Sequence, residues 1–177
     1  MRLARLAPAL ALLPLAAAPA CGDDANSASK LTGLYKVTSY TEVSGDCTGT
    51  PAPVTDTTHL FVKSADFLGV KTLQVIGCDS ADGCGSDPEA FPEFTFLQRS
   101  GSGWFTTASS ASPGGGQCSL GFSEQRLTPT ATGIHIENTF SSKVYELSEA
   151  ACTTDAAESK KGELVCNSKT VVDADAL

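Results

Sequence analysis

The sequence predicts an all-β domain: an antiparallel up-and-down barrel of eight to nine strands with one short helix near the C-terminus. A β-sandwich is the alternative. Three observations carry this reading. Valine, isoleucine, threonine and aromatic residues gather in short runs that suit a pleated, half-buried surface. Turns rich in glycine, proline and serine separate the runs at an even spacing, as in barrels and sandwiches. The turns are too short for crossovers, so sequential runs pair antiparallel, which favours the barrel over the sandwich.

The first strand is Leu31 to Val43, with Tyr35, Val37, Ser39, Thr41 and Val43 expected on one face. Gly45 to Asp56 is a loop holding Cys47. Thr57 to Lys63 and Phe67 to Ile76 follow as a hairpin, with Ser64 to Asp66 as its turn. A loop flanked by cysteines, Cys78 to Glu89, leads into a strand over Phe91 to Gln98. Ser100 to Gly103 turns it into Trp104 to Ala108, and Ser112 to Gln117 turns that into Cys118 to Leu127. Gly133 to Phe140 alternates most cleanly, with Ile134, Ile136 and Phe140 opposed to His135, Glu137 and Thr139. Ser141-Ser142 reads as a turn into Lys143 to Leu147. Glu149 to Lys161 breaks the pattern as a helix, capped at its start by Thr154 or Asp155 and ended by Gly162. Glu163 to Val172 is the last strand, and Asp173 to Leu177 is expected to fray.

Residues 1–20 read differently. Arg2 and Arg5 make a positive start, Leu6 to Ala18 is a short apolar run, and Ala18-Pro19-Ala20 is a small-residue cleavage site. This is the order of a secretory signal peptide. The run is too short to span a bilayer, which takes about 20 apolar residues, and Pro8 and Pro14 interrupt it. Residues 21–31 are polar and acidic in their first half and read as a tether, leaving 32–177 as the domain.

Removing the leader from the 177-residue chain leaves 157 residues, enough for one domain with its own core. Both leader arginines depart, so basic residues fall from 12 to 10 against 20 acidic ones, and the net charge moves from −8 to −10. Such a surface repels nucleic acid. Of seven cysteines, Cys21 abuts the cleavage site. The other six, Cys47, Cys78, Cys84, Cys118, Cys152 and Cys166, are an even set in an exported chain and imply three disulfides of unassigned pairing. They lack the paired cysteine or cysteine–histidine spacing of a metal site.

Ala18-Pro19-Ala20-Cys21 resembles the lipobox of bacterial lipoproteins. That resemblance implies acylation of Cys21, attachment to a membrane through its acyl chains, and a place in the bacterial cell envelope. Gly22 follows the cysteine where an aspartate would signal inner-membrane retention, so the outer membrane is expected. The opening LTGLYKVTS resembles the first strand of lipocalin-like barrels over Gly33 to Ser39. The larger pattern is similar to bacterial envelope lipoproteins of this length with several spaced cysteines.

Candidate chemistry is sparse. Asp79, Asp82, Asp87 and Glu89 offer oxygen ligands to a calcium ion, or form a solvated acidic loop clamped by a local Cys78–Cys84 bridge. His59 and His135 are the only histidines, and Ser123 stands in GFSEQ, which is no nucleophile elbow. No catalytic residue and no cofactor are therefore expected, and the chain reads as a non-enzyme. Trp104 with Phe105, and Phe94 with Phe96, either line a cavity for a small apolar ligand or fill the core. Two functions stand open: an anchored barrel binding a small apolar ligand or lipid, and an interaction or structural protein with a filled barrel.

Overall fold

A computed structural model of the chain describes residues 28–67, 69–87, 90–101 and 103–177. The leader, Cys21 and the tether before residue 28 lie outside them, as does Glu89. Residues 28–31, expected in the tether, instead form a helical turn, α1 (Ala28–Leu31). Leu31 is buried, and its carbonyl accepts from the Tyr35 hydroxyl at 2.9 Å.

The strands are β1 (Gly33–Ser44), β2 (Ala52–Pro53), β3 (His59–Phe67), β4 (Val70–Cys78), β5 (Phe94–Phe96), β6 (Gln98–Ser100), β7 (Gly103–Gly114), β8 (Gln117–Pro129), β9 (Gly133–Tyr145) and β10 (Val165–Ala176). Their order is β5-β4-β3-β1-β10-β9-β8-β7-β6, with β2 pairing β1 off this path. The first long strand lies beside the last, and the rest follow in chain order, as the barrel reading requires. Only Leu97 separates β5 from β6, so the two ends of the sheet meet in one stave. β5 pairs β4, and β6 pairs β7. Between them side chains replace the ladder: the Leu97 amide donates to Thr106 Oγ1 at 2.7 Å, and the Thr95 amide to Gln125 Oε1 at 3.4 Å. The barrel is thus nearly closed.

Four local expectations are corrected. Ser64–Asp66 belong to β3, paired with Leu73, Thr72 and Lys71, and the turn lies beyond Phe67. Ser141-Ser142 make no turn. They sit inside β9 between β8 and β10, where the Ser142 amide donates to Asn167 Oδ1 at 2.7 Å. Pairing on both sides outweighs the turn preference of two serines. Asp173–Ala176 do not fray, because β1 and β9 hold them, and the Leu177 amide donates to the Leu34 carbonyl at 3.0 Å. The helix shrinks to α2 (Thr154–Ser159) between two 3-10 turns, Glu149–Ala151 and Lys161–Glu163. Thr153, rather than Thr154 or Asp155, caps it by accepting from the Ala156 amide at 3.1 Å.

Two apolar clusters hold the fold. Inside the barrel, Leu60, Val62, Leu73, Val75, Phe94, Phe96, Trp104, Leu127, Ile134, Ile136, Val172 and Ala174 pack with Leu31 and Tyr35. Outside it, Cys118, Leu120 and Ala157 join α2 to the outer face of the sheet. The six cysteines form Cys47–Cys166, Cys78–Cys84 and Cys118–Cys152. The outer face carries charges: Glu137 with Lys169 at 2.8 Å, Glu124 with Arg126 at 2.6 Å, and His135 with Asp173 at 2.7 Å. Apolar inside and charged outside is the reverse of a barrel that spans a bilayer.

Candidate functional site: the polar mouth of the barrel

Strand register sorts the inward-facing side chains into layers, because residues directly opposite each other share a face. One row runs Tyr40, Val172, Ile136, Leu127, Trp104 across β1, β10, β9, β8 and β7. All five pack in the inner core. Two residues along each strand, the next row is Glu42, Thr170, Asn138, Gln125, Thr106. The row above that is Ser44, Ser168, Phe140, Ser123, Ala108. The interior therefore changes from an apolar plug to a polar belt within one step of the pleat. Above the belt, Ala108, Ser110, Ser112 and Ser119 are exposed.

Alternation along β1 does not run unbroken. The register shifts between Val37 and Ser39, the mark of a β-bulge. Tyr35 and Val37 face inward, and past the bulge the inward residues are Tyr40 and Glu42. Ser39, Thr41 and Val43, expected beside Tyr35, point the other way. One extra residue thus delivers the Tyr40 phenol to the top of the plug.

There Tyr40 meets Glu93, which arrives from the loop before β5, its amide bonded to the Val75 carbonyl at 2.8 Å. The Glu93 carboxylate lies over Gly77, where a Cβ would collide with it, so glycine makes its room. It accepts from Thr57 Oγ1 at 3.1 Å, and the Tyr40 phenol stands beside it. Burial pushes the Glu93 carboxyl above the usual range, against the opposing pull of the Thr57 and Tyr40 hydroxyls. Burial, then the charges of Glu93 and Glu42, push the Tyr40 phenol up to about 12. Beside the pair a cleft of about 510 Å³ opens in the wall, lined by Lys36, Tyr40, Thr55, Thr57, Thr58 and His59 among others. It lies where the chain leaves β1 between two anchoring bonds, Val37 amide to Thr58 carbonyl at 2.9 Å and Val54 amide to Tyr40 carbonyl at 2.8 Å.

A raised carboxyl has a defined consequence for stability. The folded state holds the Glu93 proton more tightly than the unfolded chain does. Its stabilising effect is full below the ordinary glutamate range and is lost as pH rises through the folded pKa. Glu93→Gln keeps the acceptor oxygen and removes the titration. The variant is expected to be more stable than the parent at pH 7, with the difference shrinking or reversing near pH 4. Urea unfolding across that range checks it, and a difference independent of pH would refute it. Glu137 and Glu158, whose carboxyls neighbouring lysines hold below the usual range, slope the opposite way but cancel in the comparison.

The residues singled out from sequence scatter. His59 begins β3 opposite Lys36, on the outer face. Its Nδ1 lies 2.9 Å from Thr58 Oγ1, which itself donates to the Asp79 carbonyl at 2.5 Å. His135 lies on the outer face of β9 against Asp173, and Ser123 faces inward from β8, so no hydroxyl–imidazole–carboxylate set assembles from them. Asp79 and Asp82 stay in the loop that Cys78–Cys84 closes, and Asp87 lies just beyond it. Among the described residues no group of three or more His, Cys, Asp or Glu is placed to hold a metal ion. Trp104, Phe94 and Phe96 are 3%, 4% and 0% exposed and fill the interior, whereas Phe105 points outward opposite Arg126. Two buried polar atoms, Trp104 Nε1 and Asn138 Oδ1, have no hydrogen-bond partner among the described residues.

Sequence reading missed Tyr40, Glu93, Thr57 and the belt. The one available signal was Glu93 between two aromatics in FPEF, an acid in an apolar run. No protein-family model, curated protein or solved structure matches this chain.

Proposed function

We propose that this chain is a lipid-anchored protein of the bacterial envelope, at the outer rather than the inner membrane, whose barrel is filled by its own side chains. On this reading it is not an enzyme and holds no small apolar ligand. It acts through its outer surfaces and its polar mouth. The supporting observation is the plug: Leu60, Val62, Leu73, Val75, Phe96 and Ile136 are each 0% exposed, where a ligand cavity would leave its lining accessible. Three disulfides suit an oxidising compartment.

Native mass spectrometry of the protein purified from its own host tests the filled barrel. The bare mass of the lipidated chain is expected, and a reproducibly bound small molecule would restore the ligand-binding reading. Cys21→Ser tests the anchor. Two or more acyl chains hold a protein stably, at ~0.8 kcal/mol per buried methylene, so the variant is expected to leave the membrane fraction for the soluble one. Continued retention would refute the anchor.

A further inference from the structure

The cleft in the wall beside Tyr40 inverts the charge of the chain. The sequence holds 20 acidic residues, yet no aspartate or glutamate lines this cleft. Two basic side chains do, Lys36 and His59. They stand directly opposite each other on β1 and β3, which sets their Cβ atoms about 5 Å apart. Once His59 is protonated, two like charges face each other, an arrangement that destabilises a strand pair. An anion between them turns that repulsion into attraction. Among the described residues Lys36 has no ion pair. The His59 ring is engaged through Nδ1, 2.9 Å from Thr58 Oγ1. Lys36 Nζ and His59 Nε2 are thus left to the cleft.

The threonines around it add a second constraint. Each of four hydroxyls already donates its proton to the protein. Thr38 donates to the Asp173 carbonyl at 3.0 Å, and Thr58 to the Asp79 carbonyl at 2.5 Å. Thr55 donates to Asp56 Oδ1 at 3.3 Å, and Thr57 to Glu93 Oε1 at 3.1 Å. What these oxygens keep for the cleft is lone pairs. A guest there brings its own donors. At about 510 Å³ the cleft has the size of a small-ligand site.

We propose that this cleft binds a phosphorylated polyol, its phosphate between Lys36 and His59 and its hydroxyls donating to the threonine oxygens. A phosphate monoester carries about two negative charges at pH 7. That matches two cationic side chains, where a carboxylate would answer only one. The site lies in the wall, apart from the apolar plug, so it stands whether or not Cys21 is acylated.

NMR titration of the Cys21→Ser chain with glycerol phosphate tests it. Saturable binding with a Kd below about 1 mM is expected, with amide shifts at residues 36–41 and 53–59. Inorganic phosphate, which lacks the hydroxyl-bearing body, should bind roughly tenfold more weakly. Lys36→Gln and His59→Gln should each weaken binding roughly tenfold. Lys63→Gln, on the same strand as His59 but outside the cleft, should leave it unchanged. Melting temperatures of the variants should match the parent and exclude misfolding. A titration that does not saturate by about 10 mM would overturn the proposal. So would equal affinity for inorganic phosphate, or binding indifferent to Lys36 and His59. Capture by phosphatidylglycerol vesicles without binding of the soluble ester would overturn it in favour of a lipid surface.

Discussion

Replacing Cys47 and Cys166 together by alanine is expected to cost ~5 kcal/mol of unfolding free energy, the largest loss from any of the three bridges. The partners lie 119 residues apart, so the bridge closes nearly the whole domain into one loop. In the chain-entropy account the effect grows with the logarithm of loop length. The same account assigns ~4 kcal/mol to Cys118–Cys152, separated by 34 residues, and ~2 kcal/mol to Cys78–Cys84, separated by 6. The long bridge also ties the loop after β1 to the start of β10, beside the seam where the two ends of the chain meet. Cys47 has a left-handed backbone, φ 60°, and alanine there carries the same constraint, so the comparison isolates the covalent tie. Chemical denaturation of the three double variants checks the order. Equal losses, or the largest loss from the six-residue loop, would refute it.

Phe96→Ala is expected to cost about 3–5 kcal/mol. Its ring is fully buried in the closing stave and stacks on Phe94 with centroids 6.5 Å apart. β5 is only three residues long and pairs β4 through three positions, so packing rather than hydrogen bonding holds it. Removing the ring removes dispersion contacts and leaves a cavity that the surrounding staves refill only in part. The lining of that cavity is apolar, so the variant is also expected to take up benzene or xenon, which the parent excludes. Trp104, the only tryptophan, reports on the plug by its fluorescence. Phe96→Leu should recover most of the stability. A cost below about 1 kcal/mol, in the range of an exposed position, would show that the plug is not continuous. Uptake of benzene by the parent would show that the barrel is not filled.

Much of the barrel was legible in the residues. The spacing of β-prone runs gave the strand count and the hairpin order, because local preference and short turns act over a few residues. Three bridges followed from an even set of six cysteines. Errors fell where neighbours overrule local preference. Ser141-Ser142 look like a turn until strands on both sides bind them, and Asp173 to Leu177 look loose until β1 and β9 are placed beside them. The bulge at Thr38 escaped as well, since one extra residue leaves no mark in composition yet turns every later side chain of β1 to the other face.

By itself the sequence determined the class of the fold, the acidic balance and the even set of cysteines, all of which depend on composition or on neighbours along the chain. Only the tertiary structure decided which cysteine meets which, that Trp104, Phe94 and Phe96 fill the barrel, and that Glu93 meets Tyr40. Each of these is a meeting between segments far apart in the chain. Such meetings depend on register and closure, which arise only when the last strand lies down against the first.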